Sequence, residues 1–206
     1  MHNPKQKRKP LDTYSSEEKF ILQKLKDELS PKLTYHGLHH TYDVLQAAMK
    51  IAEEENVSKE DLKLLRIAIL FHDSGFIKTY KNHEESGCQM AREYLPDFGY
   101  TNKEVDIICD LIMATKIPQS ANTKLQQIIC DADLDYLGRN DFPEISESLF
   151  EEMKIHAHLQ DRAEWNSIQK KFLEKHQYYT DFSKQQREPK KQEHLQKVRR
   201  SLSHRK

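Results

Sequence analysis

Apolar residues recur along this chain at steps of three and four, in runs separated by prolines, glycines and capping residues, which is the periodicity of amphipathic helices. Ile21, Leu25 and Leu29 follow Ser15, with Glu18 at capping-box distance, and Pro31 closes that run. Tyr35-His36-Gly37-Leu38-His39-His40 leads into a second helix with Val44, Ala48 and Ile51 on one face, stopped at Asn56. Ser58 and Asp61 open a third, whose mostly apolar run from Leu64 to Phe71 ends in His72-Asp73-Ser74-Gly75. A largely polar loop then runs to Asn82, and a fourth helix carries Glu84, Cys88, Ala91 and Leu95 up to Pro96. Thr101 and Glu104 cap a fifth, with Val105, Ile108, Ile112 and Thr115 in line before Pro118. A sixth begins near Thr123 and carries Leu125, Ile129, Asp133 and Tyr136, with Gly138 placed as its C-terminal stop. Helices over 145–158 and 162–176 follow, the second anchored by Trp165, Ile168 and Phe172. No alternating strand pattern and no internal repeat interrupts this series. The expected fold class is all-α, one helical domain over 15–183 between a loose basic arm at 1–14 and a basic helical tail at 184–206.

Composition narrows the picture without redirecting it. A chain of 206 residues suits one core, and Gly 5 with Pro 7 leaves few tight turns for a sandwich or barrel. A formal net charge of +0 gives no global pull toward nucleic acid or an anionic membrane, although Arg199-Arg200 and Arg205-Lys206 make the tail itself basic. No stretch approaches the roughly 18 consecutive apolar residues of a membrane span. Met1-His2-Asn3-Pro4-Lys5 has no apolar core of the secretion-signal type. Cys88, Cys109 and Cys130 are odd in number and widely spaced, as reduced core thiols are, so a cytoplasmic location is expected.

The candidate chemistry comes from polar residues in apolar register. His40 extends the stripe of Val44, His72 follows Leu65 and Ile69, and Asp133 lies between Ile129 and Tyr136. Asp131 and Asp135 fall instead in the polar register of Lys124 and Gln127. A lone inward histidine is more often a hydrogen-bonded core residue. Three inward polar groups on three separate helices need a common partner, since unpaired burial costs on the order of several kcal/mol. A shared cation meets that need, and two imidazoles with two carboxylates suit Zn, Mn, Fe or Mg.

His40, His72-Asp73 and Asp133, in the contexts His40-Thr41-Tyr42-Asp43-Val44, Ala68-Ile69-Leu70-Phe71-His72-Asp73 and Asp131-Ala132-Asp133-Leu134, resemble the H…HD…D pattern of the HD-domain superfamily of metal-dependent phosphohydrolases. The resemblance spans about residues 35–138, in that family's order and spacing. It implies an all-α HD-type bundle with His40, His72, Asp73 and Asp133 as metal ligands. It also implies hydrolysis of a phosphate monoester or diester, of a nucleotide or related small molecule.

His36, four residues before His40, is similar to the histidine that protonates the leaving oxygen in cyclic-nucleotide phosphodiesterases; a structural turn histidine is the competing role. Glu84 starts the inward stripe of the fourth helix, where it could orient water or bind a second ion, or simply complement the helix dipole. Lys78 and Lys81, in the loop after the His-Asp pair, are candidates for the substrate phosphate. Binuclear members of the family this sequence resembles carry further histidines between that pair and the last aspartate; here only His83 lies there, with Thr115 where another is expected, so the resemblance favours one ion over two and disfavours oxygenase chemistry. The expected partner is a small phosphorylated substrate, with neither membrane nor nucleic acid favoured. The alternative is a metal-holding module that binds a nucleotide or a partner protein without turnover.

Overall fold

The computed structural model describes residues 14–203. Ten α-helices lie among them: α1 (Ser16–Glu28), α2 (Leu38–Glu54), α3 (Lys59–Phe71), α4 (His83–Tyr94), α5 (Asn102–Ala114), α6 (Lys124–Asp133), α7 (Phe142–His156), α8 (Arg162–Lys175), α9 (Asp181–Gln186) and α10 (Glu188–Ser203). No strand occurs among the described residues, and the fold is all-α. Of the expected arm over 1–14, all but Tyr14 lies outside the described residues, as do Arg205 and Lys206.

The helix starts follow the local chemistry of the sequence. Glu18 Oε2 accepts the Ser15 backbone N–H at 2.9 Å, and Glu104 Oε2 accepts that of Thr101 at 2.8 Å. The Ser58 hydroxyl accepts the Asp61 N–H at 3.1 Å, and the Thr123 hydroxyl accepts that of Gln126 at 3.3 Å. Each cap satisfies backbone donors that a helix N-terminus leaves unpaired.

The main core lies between α1 and α6. Helix α3 runs through it, with Ile67, Ala68, Ile69, Leu70 and Phe71 all buried. A helix enclosed on every side over its last five residues delivers whatever follows it into the interior. Here that is His72-Asp73. Beyond them the chain departs from the expected polar loop: Ser74–Ile77 is a 3-10 turn with Ser74, Gly75 and Phe76 buried. Gly75 has a packing reason to be glycine, because a Cβ there would lie 1.8 Å from the His83 carbonyl oxygen. The turn is thereby pressed onto the start of α4, which brings His83 and Glu84 beside the His-Asp pair.

Four other expectations are corrected. Helix α6 ends at Asp133, and a 3-10 turn, Asp135–Gly138, replaces its expected continuation. Asp131 and Asp135, expected on a polar face, are buried, because residues 178–187 return across that face. Tyr179 and Thr180 donate their N–H groups to Asp131, each at 2.8 Å, and Arg187 Nε donates to Asp135 at 2.6 Å. Ile168 is no core anchor: it is 37% exposed, while Trp165 and Leu173 are buried on the same helix. The segment set apart by its charge as a tail is built into the fold, since α10 buries Lys191, His194, Leu195 and Val198 in the region of Leu173 and Tyr178.

Candidate metal centre

Three elements converge on one point. His40 comes from the first turn of α2, His72-Asp73 from the end of α3, and Asp133 from the last residue of α6. One ligand atom from each of His40, His72 and Asp133 lies within 4.8 Å of the others. His40 Nε2 is 3.1 Å from Asp133 Oδ1 and 3.4 Å from Asp73 Oδ2. His72 Nε2 is 3.2 Å from Asp73 Oδ2 and 3.6 Å from Asp133 Oδ1.

The orientation of the His72 ring is set by the backbone. His72 Nδ1–H donates to the Ile69 carbonyl oxygen at 2.6 Å, which turns Nε2 toward the carboxylates. His72 Nε2 and Asp73 Oδ2 are both buried without a hydrogen-bond partner among the described residues. The two atoms face each other and the same point between the three elements, a position that a shared cation can occupy. The donor set of two imidazole nitrogens and two carboxylate oxygens fits a divalent ion of the Zn, Mn, Fe or Mg type.

The electrostatics of the cluster agree with the geometry. Burial alone would push His72 down, but Asp73 and Asp133 outweigh it and raise it well above the ordinary imidazole range. Burial would likewise raise both aspartates, yet His72 holds Asp73 well below the usual carboxylate range, and His40 with His72 hold Asp133 at about 2. Both carboxylates are ionised at neutral pH.

Around this point the remaining candidates divide. His36 sits at the entrance of α2, its ring stacked on Phe76 at 4.3 Å between centroids. Phe76 also stacks on His83 at 3.9 Å, so one aromatic ring spaces the two histidines. His83 Nε2 lies 3.4 Å from Asp73 Oδ1 and 3.5 Å from Glu84 Oε1, on the side of Asp73 that the ligand cluster leaves free. Glu84 is buried, and with His36, Asp73, His83 and Asp133 it lines a cavity of about 300 Å³. Lys78 and Lys81 are not brought there: Lys78 faces Glu93 at 4.0 Å on the exposed side of the molecule, and Lys81 is exposed. His39 is exposed as well. Thr115 lines the cavity, its hydroxyl donating to the Ile112 carbonyl oxygen at 2.8 Å.

Glu152, Tyr80 and Phe76 join this site without a signal in the local sequence pattern that names their partners. Glu152, fully buried in α7, forms a short contact with His36 Nδ1 and accepts the Tyr80 hydroxyl at 3.1 Å. Burial raises the Glu152 carboxyl, but His36 and the backbone N–H groups of Tyr35 and His36 reverse this and lower it. An acidic residue in inward register on α7 was the available signal, although nothing in the sequence names its partner.

The HD-domain family profile matches residues 37–135. An uncharacterized protein of Clostridium beijerinckii is 30% identical over 106 residues, which make up 50% of this chain and 67% of that protein. Among solved structures, a predicted HD superfamily hydrolase from an uncultured Thermotogales bacterium superposes with a TM-score of 0.57 at 23% identity, covering 91% of this chain and 90% of that one. Residues 37–135 of the chain are an HD domain. No described helix is long and apolar enough to cross a membrane.

Proposed function

We propose that this protein hydrolyses a small phosphate ester with one divalent ion held by His40, His72, Asp73 and Asp133. The observation that carries this reading is the convergence of His40, His72 and Asp133, one ligand atom from each within 4.8 Å of the others, with Asp73 Oδ2 3.2 Å from His72 Nε2 beside the cavity. When bound, a divalent ion supplies Lewis acidity, which polarises a phosphoryl oxygen and acidifies water.

The chain's own residues account for the rest. His36, with Nδ1–H held by Glu152, can give the Nε2 proton to the leaving oxygen when its ring is protonated at both nitrogens. His83, through Asp73 Oδ1, and the adjacent Glu84 sit where an attacking water can be oriented. The stacked Phe76 spaces the His36 and His83 rings and excludes solvent between them. One ion is favoured because one ligand cluster forms among the described residues, and Thr115 offers a hydroxyl where another imidazole would be needed.

The test is turnover of a phosphomonoester, a phosphodiester and a nucleotide panel by purified protein with Mn, Zn, Fe or Mg, or with chelator, beside Asp73→Ala. Metal-dependent hydrolysis that disappears in Asp73→Ala is the expected result. Metal binding without turnover across the panel would replace this reading with that of a binding module.

A further inference from the structure

The cavity beside the ligands is chemically two-sided. One part carries the titratable groups, and the rest is walled by Leu134, Phe142, Met153, Trp165, Ile168 and Phe172, contributed from α6 to α8. No lysine or arginine is among the described residues that line it. Lys171, Lys175 and Lys184 line a neighbouring cleft that shares the apolar residues Ile117, Leu134, Ile168 and Phe172 with this one. The polar side chains set into the apolar part are already engaged: the Thr115 hydroxyl with the Ile112 carbonyl, and the Gln169 amide with the Ser146 hydroxyl. Trp165 Nε1–H is buried without a partner, but a single neutral donor does not balance a phosphate charge.

These features discriminate among phosphate esters. One phosphate can be met by a divalent ion with His36 and His83. A second or third phosphate would enter an apolar wall with no cation to pair it, and would also face Asp73, Glu84 and Asp133. Sugar hydroxyls entering the apolar part would lose water and find the Trp165 Nε1–H as a free donor there, too few partners for several hydroxyls. A volume of about 300 Å³ stands at the lower end of the roughly 300–1,000 Å³ common for ligand pockets. We infer that the substrate is the monophosphate ester of a compact, uncharged, apolar alcohol, aryl or hydrocarbon, rather than a nucleoside polyphosphate or a sugar phosphate. This rests on the phosphohydrolase reading above.

The experiment has two arms. In the first, kcat/KM of the full chain with Mn is compared for phenyl phosphate, hexyl phosphate, glucose 6-phosphate, adenosine monophosphate and adenosine triphosphate. The phenyl and hexyl esters are expected to lead by at least about tenfold, since one apolar group in such a pocket is worth roughly 10- to 200-fold. In the second, quenching of Trp165, the only tryptophan in the chain, follows the binding of phenylphosphonate and methylphosphonate. Phenylphosphonate is expected to bind about tenfold tighter. Ile168→Lys, at an exposed position on the cavity wall, should lower kcat/KM for hexyl phosphate about tenfold and narrow the gap between the two phosphonates. Preference for adenosine triphosphate or glucose 6-phosphate, or equal binding of the two phosphonates, overturns the inference. Hydrolysis with no apolar preference removes this inference alone. No hydrolysis, with the phenylphosphonate advantage intact, removes the phosphohydrolase reading and keeps the assignment of the pocket.

Discussion

Glu152 Oε2 accepts the backbone N–H groups of Tyr35 and His36, at 2.8 and 3.0 Å, while Oε1 meets the His36 ring. One carboxylate from α7 therefore fixes both the main chain and the side chain of His36. Because an ionised carboxylate only accepts, Nδ1 must carry a proton, and a second proton, on Nε2, is the one available to the leaving oxygen. Tyr80 closes the arrangement through its hydroxyl, and its ring stacks on His156 at 4.4 Å.

If His36 protonates the leaving oxygen, its importance depends on how much help that oxygen needs. Substituting His36→Asn should lower kcat on phenyl phosphate by about 10²–10⁴, the usual worth of general acid catalysis. On p-nitrophenyl phosphate, whose leaving group departs unaided, the loss should be much smaller. Glu152→Gln should show the same dependence on leaving group with a smaller amplitude, since it can still hold the backbone while losing control of the tautomer. Equal losses on both esters would mean that these residues are structural.

Metal and stability are linked through the buried ligands. Adding Mn or Zn to metal-free protein should raise its melting temperature, by the equivalent of about 2.7 kcal/mol at a hundredfold excess over Kd. Asp133→Asn should abolish that increment whatever its effect on the metal-free baseline. Differential scanning fluorimetry with and without metal measures both.

Asp131 and Asp133 are two residues apart and should behave as opposites. Asp131 accepts the Tyr179 and Thr180 N–H groups and, at 2.7 Å, the Thr180 hydroxyl, so it ties the start of α9 to α6. Asp131→Ala should cost about 3 kcal/mol in urea unfolding, because buried donors lose a charged acceptor. The stabilisation by metal should persist in that variant. A loss of metal binding there would make Asp131 a ligand.

Acid should weaken the packing of α10. Burial first, and then Lys191, hold His176 down at about 4, with Lys191 Nζ 3.3 Å from its Nδ1. Because the folded pKa is the lower one, the unfolded chain binds the extra proton first. The stability that neutral His176 preserves is complete above about pH 6.5 and is lost as the pH falls toward 4. The loss is at most about 3 kcal/mol. Wild-type protein and His176→Gln, unfolded in urea at pH 7, 5.5 and 4.5, should diverge in slope, with the wild type falling more steeply.

How much of this was legible in the chain follows from where the information lies. Helical period and local caps are set by residues within a few positions of one another, so the helices, their starts at Ser15, Ser58, Thr101 and Thr123, and the inward placement of His40, His72 and Asp133 could all be read from the sequence. The clustering of His40, His72 and Asp133 was legible because each extends the apolar stripe of its own helix, and helices that share a core must bring such positions together. Glu152, Phe76 and the burial of Asp131 and Asp135 could not be read, because each depends on a partner from a distant part of the chain: the His36 ring, the His83 ring and the returning residues 178–187. Ile168 and Phe172 show the same limit, since apolar residues at helical spacing look alike whether they fill a core or line a cavity. The sequence by itself determined the all-α architecture and the inward placement of His40, His72 and Asp133, because periodicity records which side of each helix faces the core. Only the tertiary structure decided what holds His36 and what kind of molecule the cavity admits, because contacts between distant segments leave no trace in local pattern.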